Sequence, residues 1–137
     1  MAFTGLTDDR LAIHELVMSY GSAVTRADAE AWGDTWTENA TWQIPHFPGL
    51  ELTQGREKIV TNWLAAMQGF EQIVFFATLG SLTVDGETGQ GITYTQEYCT
   101  DNNGVKSIAV GRYEDQFVKQ NGRWYFQNRT FSQLDGR

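Results

Sequence analysis

Glu97 is the residue of this chain whose type and setting best suit proton transfer. It sits in the run ITYTQEYCT, residues 92–100, which reads as a strand. Successive side chains of a strand point to opposite faces. Thr93, Thr95, Glu97 and Cys99 therefore share one face, and Ile92, Tyr94, Gln96 and Tyr98 share the other. A carboxylate aimed into an apolar interior has its pKa raised, because burial disfavours the charged form. That brings a general acid or base toward neutral working pH. A glutamate in such a place can equally be the structural partner of an arginine, and a bulge would turn it outward.

Other side chains invite comparison with Glu97. Arg129, in the closing run WYFQNRTFS, can bind an oxyanion or carboxylate of a ligand or neutralise a glutamate. One residue of register decides whether Arg129 or Asn128 faces inward. Tyr113 shares a face with Ala109, Gly111 and Phe117 and is expected inside, where its hydroxyl either serves a substrate oxygen or completes one packing hydrogen bond. Arg112 and Asp115 flank it and are expected to form a surface or interface ion pair. His46 lies in a loop between Pro45 and Pro48, beside Trp42 and Phe47. A neutral imidazole there can serve as acid or base near pH 7, or be a plain loop histidine. His14 reads as a boundary residue of a helix, and Cys99 as inert packing.

Several chemistries are disfavoured. Net charge is −7 and no basic stripe is present, which argues against nucleic acid. Two histidines without clustered cysteines or carboxylates argue against a metal, and the lack of a G-x-G-x-x-G or phosphate-cradling loop argues against a nucleotide cofactor. No cofactor is expected. One cysteine excludes an internal disulfide and fits a reducing compartment. The first residues, MAFTGLTDDR, lack the basic and apolar regions of a signal peptide, and no apolar run is long enough to span a membrane. A cytoplasmic location is expected.

The elements that must position these residues can be read along the chain. Thr7 is the expected N-cap of a helix, with Asp8 and Asp9 in its first turn. Ile13, Leu16, Val17, Tyr20, Ala23 and Val24 recur at helical spacing. Asp28 reads as the N-cap of a short helix carrying Trp32 and Trp36, a role that suits it better than that of a base. Ala40–Ile44 reads as a strand and Gly55–Gln68 as a third helix burying Ile59, Val60, Trp63, Leu64 and Met67. Ile73–Val84 is a long strand ending at Asp85-Gly86. Two further turns, Asp101-Asn102-Asn103-Gly104 and Gln120-Asn121-Gly122-Arg123, separate the last three strands. Asn-Gly between such runs predicts type I′ hairpins, which need φ > 0 at both central residues. The order helix, helix, strand, helix and then an antiparallel meander, with at least five strands in the sheet, makes one α+β domain over residues 1–137. Aromatic content of 13% suits either a large apolar cavity or a well-filled core.

In this order the chain resembles the SnoaL-like branch of the nuclear transport factor 2-like superfamily. The pieces that carry the resemblance are AIHELVMSYGSAV, ADAEAWGDTWTENATW, GREKI, LTVDGETG and GRYEDQFVKQNGRW, the last being the most specific. The resemblance implies a curved sheet of about six strands around a helix-covered cavity, with Gly89 and Gly91 against the helices and hence Glu97 facing inward. It also implies frequent pairing of copies through the outer face of the sheet, as a dimer or a trimer. Members include scytalone dehydratase, lindane dehydrochlorinase, bile-acid dehydratase, steroid isomerase and polyketide cyclases, which remove a proton without metal or cofactor. The Asp–His dyad of the dehydratase-like members is absent. The Asp position holds Thr25, and the His position holds Phe75, or Phe76 if the register slips by one. Tyr20 matches a hydroxyl that some members use as acid or donor.

The resemblance and the residues together predict a cofactor-free lyase or isomerase acting on a hydrophobic cyclic small molecule. Its pocket would be lined by Tyr20, Trp42, Trp63, Phe75, Thr95, Glu97, Tyr113 and Arg129, the last near the mouth. Glu97 or His46 would move the proton, and Tyr20, Thr25 and Tyr113 would hydrogen-bond a carbonyl or leaving group. The competing expectations are a non-catalytic binding module that kept the cavity, and an assembly subunit like the small chains of ring-hydroxylating dioxygenases.

Overall fold

The computed structural model describes residues 2–134. Three helices, α1 (Thr7–Arg26), α2 (Ala29–Gly33) and α3 (Arg56–Met67), cover one face of a seven-stranded sheet. The strands are β1 (Phe3–Thr4), β2 (Trp36–Gln43), β3 (Thr53–Gln54), β4 (Phe70–Asp85), β5 (Thr88–Asp101), β6 (Lys106–Gln120) and β7 (Arg123–Gln133). Their order is β1-β4-β5-β6-β7-β2-β3. The centre is the expected antiparallel meander, and the sheet is mixed because β1 runs parallel to β4 and β2 parallel to β7. No helix among the described residues is long and apolar enough to cross a membrane.

α1 buries the expected stripe, Ile13, Leu16, Val17, Tyr20, Ala23 and Val24. Its entry differs from expectation. Leu6 is the N-cap, without a side-chain bond, and Thr7 is the first helical residue, its hydroxyl accepting from Arg10 Nη2 at 3.3 Å. The start of α1 is instead tied to the sheet through Asp9, whose carboxylate accepts from Trp124 Nε1 at 3.0 Å and Lys119 Nζ at 3.2 Å. Asp28 caps α2 as expected, accepting from Ala31 N at 3.0 Å. Trp36 belongs to β2 rather than to α2, because the chain turns at Asp34-Thr35. Both Trp32 and Trp36 are nonetheless fully buried. On α3, Ile59 and Trp63 point inward and Leu64, a third of a turn further round, is exposed.

The two Asn-Gly turns differ. At β6–β7, Asn121 (φ 53°) and Gly122 (φ 79°) both adopt the left-handed conformation that a type I′ turn requires. At β5–β6 only Gly104 does (φ 78°). That loop is longer, and the Asp101 carboxylate organises it by accepting from Asn103 N at 2.8 Å and Val105 N at 2.9 Å.

Two irregularities aim the side chains of the sheet. β4 changes parity between Leu79 and Ser81, so Ile73, Phe75 and Leu79 face the helices, and then Leu82 and Val84 do. β7 carries Gln127 as an extra residue opposite Gln116-Phe117. Trp124 and Phe126 face inward before this bulge, Arg129 and Phe131 after it. On β6, Gly111 leaves room for the Phe131 ring: a Cβ there would stand 2.0 Å from Phe131 Cζ. Gly111→Ala is expected to cost roughly 1–3 kcal/mol by overpacking, read as a lower denaturant midpoint at unchanged slope.

Candidate active site

Between the concave face of the sheet and helices α1 and α3 lies a cavity of ≈ 290 Å³ with mostly apolar walls. Tyr20 and Val24 enter from α1, Trp63 and Met67 from α3, Trp42 from β2, Phe75 from β4, Tyr113 from β6 and Phe131 from β7. His46 and Phe47, in the loop after β2, reach it from an exposed position, and the His46 ring lies 5.6 Å from that of Phe131.

Glu97 stands on this wall, on the inner face of β5 between buried Thr95 and Cys99. No side chain among the described residues donates a hydrogen bond to its carboxylate. Burial pushes its pKa up from 4.5 to about 7, and the Arg129 cation only partly opposes this. The site therefore holds a carboxyl group that exchanges a proton at neutral pH, in a water-poor space. Its cross-strand neighbour is Phe75, the position where the dyad histidine was expected. Phe75 faces the cavity and Phe76 faces solvent.

Thr25 does not contribute to the cavity. It is exposed, and its hydroxyl accepts a hydrogen bond from Phe75 N at 2.9 Å. The two positions of the missing dyad thus touch each other, as a joint between the end of α1 and β4. Thr95 is fully buried beside Glu97, outside the cavity lining.

Arg129 is not near the mouth. It is fully buried, with Nε 2.7 Å from Asp115 Oδ1 and Nη2 3.1 Å from Oδ2, in a two-point pair. Thr93 Oγ1 donates to the same carboxylate at 2.6 Å. The guanidinium carbon lies 3.8 Å from the ring centre of Tyr113, 4.1 Å from Phe126 and 4.4 Å from Tyr20. Burial works against the cation, Asp115 works for it, and the net result is a raised pKa. The expected surface pair of Arg112 with Asp115 does not form. Asp115 faces inward with Tyr113 and Phe117, and Arg112 approaches Glu114 at 3.9 Å. The alternation that placed Tyr113 inside already carried this signal for Asp115.

Tyr113 and Tyr20 are buried against the cavity. Trp42 Nε1 donates to the Tyr113 hydroxyl at 3.1 Å. Burial raises the pKa of both phenols, that of Tyr113 strongly, so both keep their protons at neutral pH. Behind them Trp32 stacks on Trp63 at 4.6 Å, 18° from parallel, and meets Trp42 edge-on at 5.4 Å. This aromatic layer fixes the two wall tryptophans.

Comparison with known proteins matches this architecture. No curated protein sequence matches the chain. Among solved structures, a protein of unknown function from Mycobacterium tuberculosis superposes with a TM-score of 0.80 at 21% identity, over 94% of this chain and 78% of that one. A type 2 hexachlorocyclohexane dehydrochlorinase, LinA, gives 0.78 at 17%, over 95% and 91%. A ketosteroid isomerase-like protein from Erwinia carotovora atroseptica gives 0.81 at 16%, over 96% and 100%. These likenesses establish the fold. The family model described as SnoaL-like domain matches residues 6–130, and the chain therefore belongs to the SnoaL-like family.

Proposed function

We propose that the protein is a lyase or isomerase that moves a proton on a hydrophobic cyclic small molecule, with Glu97 as the proton carrier. The observation that carries this reading is the Glu97 carboxyl on an apolar cavity wall, with no hydrogen bond from a side chain of the described residues, and titrating near neutrality. Relative to the dyad expected from the resemblance, the acid–base group has moved one strand over, from β4 to its partner β5. Tyr113 and Tyr20 supply hydroxyls on the same wall, and Trp42, Trp63 and Phe131 supply flat apolar surface. A volume of ≈ 290 Å³ is at the small end for ligand pockets, which favours one- and two-ring molecules. No step in this mechanism calls for a metal or cofactor.

The test is incubation in D₂O with a panel of small cyclic ketones, alcohols and chlorinated rings, followed by NMR for exchange, double-bond shift or elimination. Turnover that is lost in Glu97→Gln supports the reading. Turnover unchanged in that variant removes Glu97 from the chemistry. Binding without any turnover would favour the binding-module alternative, which the structural use of Thr25 and the apolar Phe75 supports.

The outer face of the sheet carries Phe76, Tyr94, Tyr98 and Ile108, all exposed, with Phe76 edge-on to Tyr98 at 6.1 Å. A contiguous apolar patch of this kind suits association, and a homodimer is the reading adopted here. Sedimentation of the wild type is expected to give a dimer, and Phe76→Glu with Ile108→Glu a monomer. A monomeric wild type would assign this face to a different partner chain, as in an assembly subunit.

A further inference from the structure

The two aspartates buried in this protein each hold a cation. Asp115 has Arg129 at 2.7 Å, and Asp9 has Lys119 at 3.2 Å. Glu97 departs from this pattern: it forms no ion pair among the described residues, and no lysine or arginine among them lines its cavity. Aromatic rings surround it instead. Phe75 is its direct cross-strand neighbour, and Trp42, Trp63, Phe47, Phe70 and Phe131 line the same cavity. The face of an aromatic ring is electronegative and attracts a cation, most strongly where water is excluded. The protein uses this chemistry elsewhere. The Arg129 guanidinium carbon lies 3.8, 4.1 and 4.4 Å from three ring centres, with Asp115 as counter-ion. The cavity repeats that combination of rings and one carboxylate, and none of the described cations of the chain is placed in it.

We infer that the cavity takes a small ring bearing a tertiary or quaternary ammonium, with Glu97 as its counter-ion and Phe75, Trp42, Trp63 and Phe131 as its aromatic cage. This names the ligand class for the site proposed above. It rests on that site being a small-molecule pocket and does not need Glu97 to act as a base. The charged and titratable groups around Glu97 permit it. Arg129 on β7 repels a second cation, but Asp115 on β6 matches its charge at two points. Tyr20 on α1 and Tyr113 on β6 keep their protons, as does the Cys99 thiol, whose pKa burial raises further. His46 reaches the cavity from the loop after β2. The net charge of −7 draws cations toward the protein. An ammonium with several N–H groups would need an acceptor for each, and the Tyr113 oxygen already accepts from Trp42. A tertiary ammonium brings one N–H, which Glu97 can accept, and a quaternary one brings none.

The probe is N,N-dimethylpiperidinium, whose charge does not titrate, beside the uncharged tetrahydropyran with a dimethylated carbon in place of the nitrogen. Calorimetric titration at pH 8 is expected to show the cation binding about tenfold or more tightly than the ether. The pKa of Glu97, pushed up to about 7 by burial, adds a signature. The cation pairs with the ionised carboxylate, so its affinity should rise about tenfold per unit of pH up to 7 and level off above, with the ether flat throughout. Glu97→Gln should abolish both the preference and the slope. Phe75→Leu should lower cation affinity about three- to thirtyfold and leave the ether unchanged. Equal affinities at pH 8, no binding of either probe, or a preference that survives in Glu97→Gln would overturn the inference. So would a slope that persists in that variant, which would belong to His46. Proton exchange in D₂O tests the base assignment apart. Cation binding that depends on Glu97, with exchange on uncharged rings unchanged in Glu97→Gln, removes only the base. Exchange lost in that variant, with both probes bound alike by the wild type, removes only the cation site.

Discussion

Glu97→Gln is expected to lower kcat/KM by roughly 10²–10⁴ and, at pH 8, to make the fold more stable than wild type by about 3 kcal/mol. Both effects come from one carboxyl group. Its pKa is about 7 in the folded protein against 4.5 in an ordinary setting, because burial disfavours the anion and Arg129 only partly compensates. Between those two values the folded protein holds a proton that the unfolded chain has lost. Stability therefore falls as pH rises through this window, and the full deficit is reached above the folded pKa. A glutamine is neutral throughout, so the advantage of the variant should be small below pH 4.5 and complete above pH 7. Urea unfolding of both proteins across this range checks the prediction. Parallel curves would show that the carboxyl titrates normally and would remove the basis for its role at neutral pH. In the wild type, kcat/KM should rise with pH to half its limit near 7, because the free carboxylate is the base.

Cutting the buried ion pair is the second large effect. Asp115→Asn or Arg129→Met alone is expected to destabilise the fold by roughly 3–5 kcal/mol, since each leaves the opposite charge uncompensated in the core. Asp115→Asn also weakens the Thr93 hydrogen bond, and Arg129→Met removes the cation that lies against Tyr20, Tyr113 and Phe126. The double replacement Asp115→Leu with Arg129→Met should recover most of the loss, because two apolar side chains need no partner. Denaturant midpoints of the three variants decide the matter. Single variants as stable as the double would mean that the pair contributes no mutual compensation.

The inward placement of Glu97 was legible because β5 runs without a bulge from Thr88 to Thr100 in its pairing with β6, so strict alternation holds along it. Arg129 was ambiguous for the opposite reason. Gln127 is an extra residue in β7, and nothing in WYFQNRTFS marks the position where the parity changes. Asp115 lies inside as its parity with Tyr113 requires, although its charge points to the surface; a carboxylate can be buried when an arginine engages it at two points. The helix stripes were readable from spacing alone. The second Asn-Gly turn formed as expected and the first did not, since Asp101 supplies a side-chain acceptor that stabilises a longer loop. The cavity itself follows from how helices and sheet meet, over distances that local patterns do not encode.

The layered indoles have an optical consequence. The Trp32 ring has the rings of Trp36, Trp42 and Trp63 around it at 5.7, 5.4 and 4.6 Å, and Trp42 and Trp63 also form part of the cavity wall. Excitation of any one of them is shared with the rest, so an occupant touching either wall indole alters the emission of the whole group. The fold thereby contains its own unlabelled fluorescent sensor for whatever enters the cavity, and a chemical library can be screened against the native chain before its reaction is known.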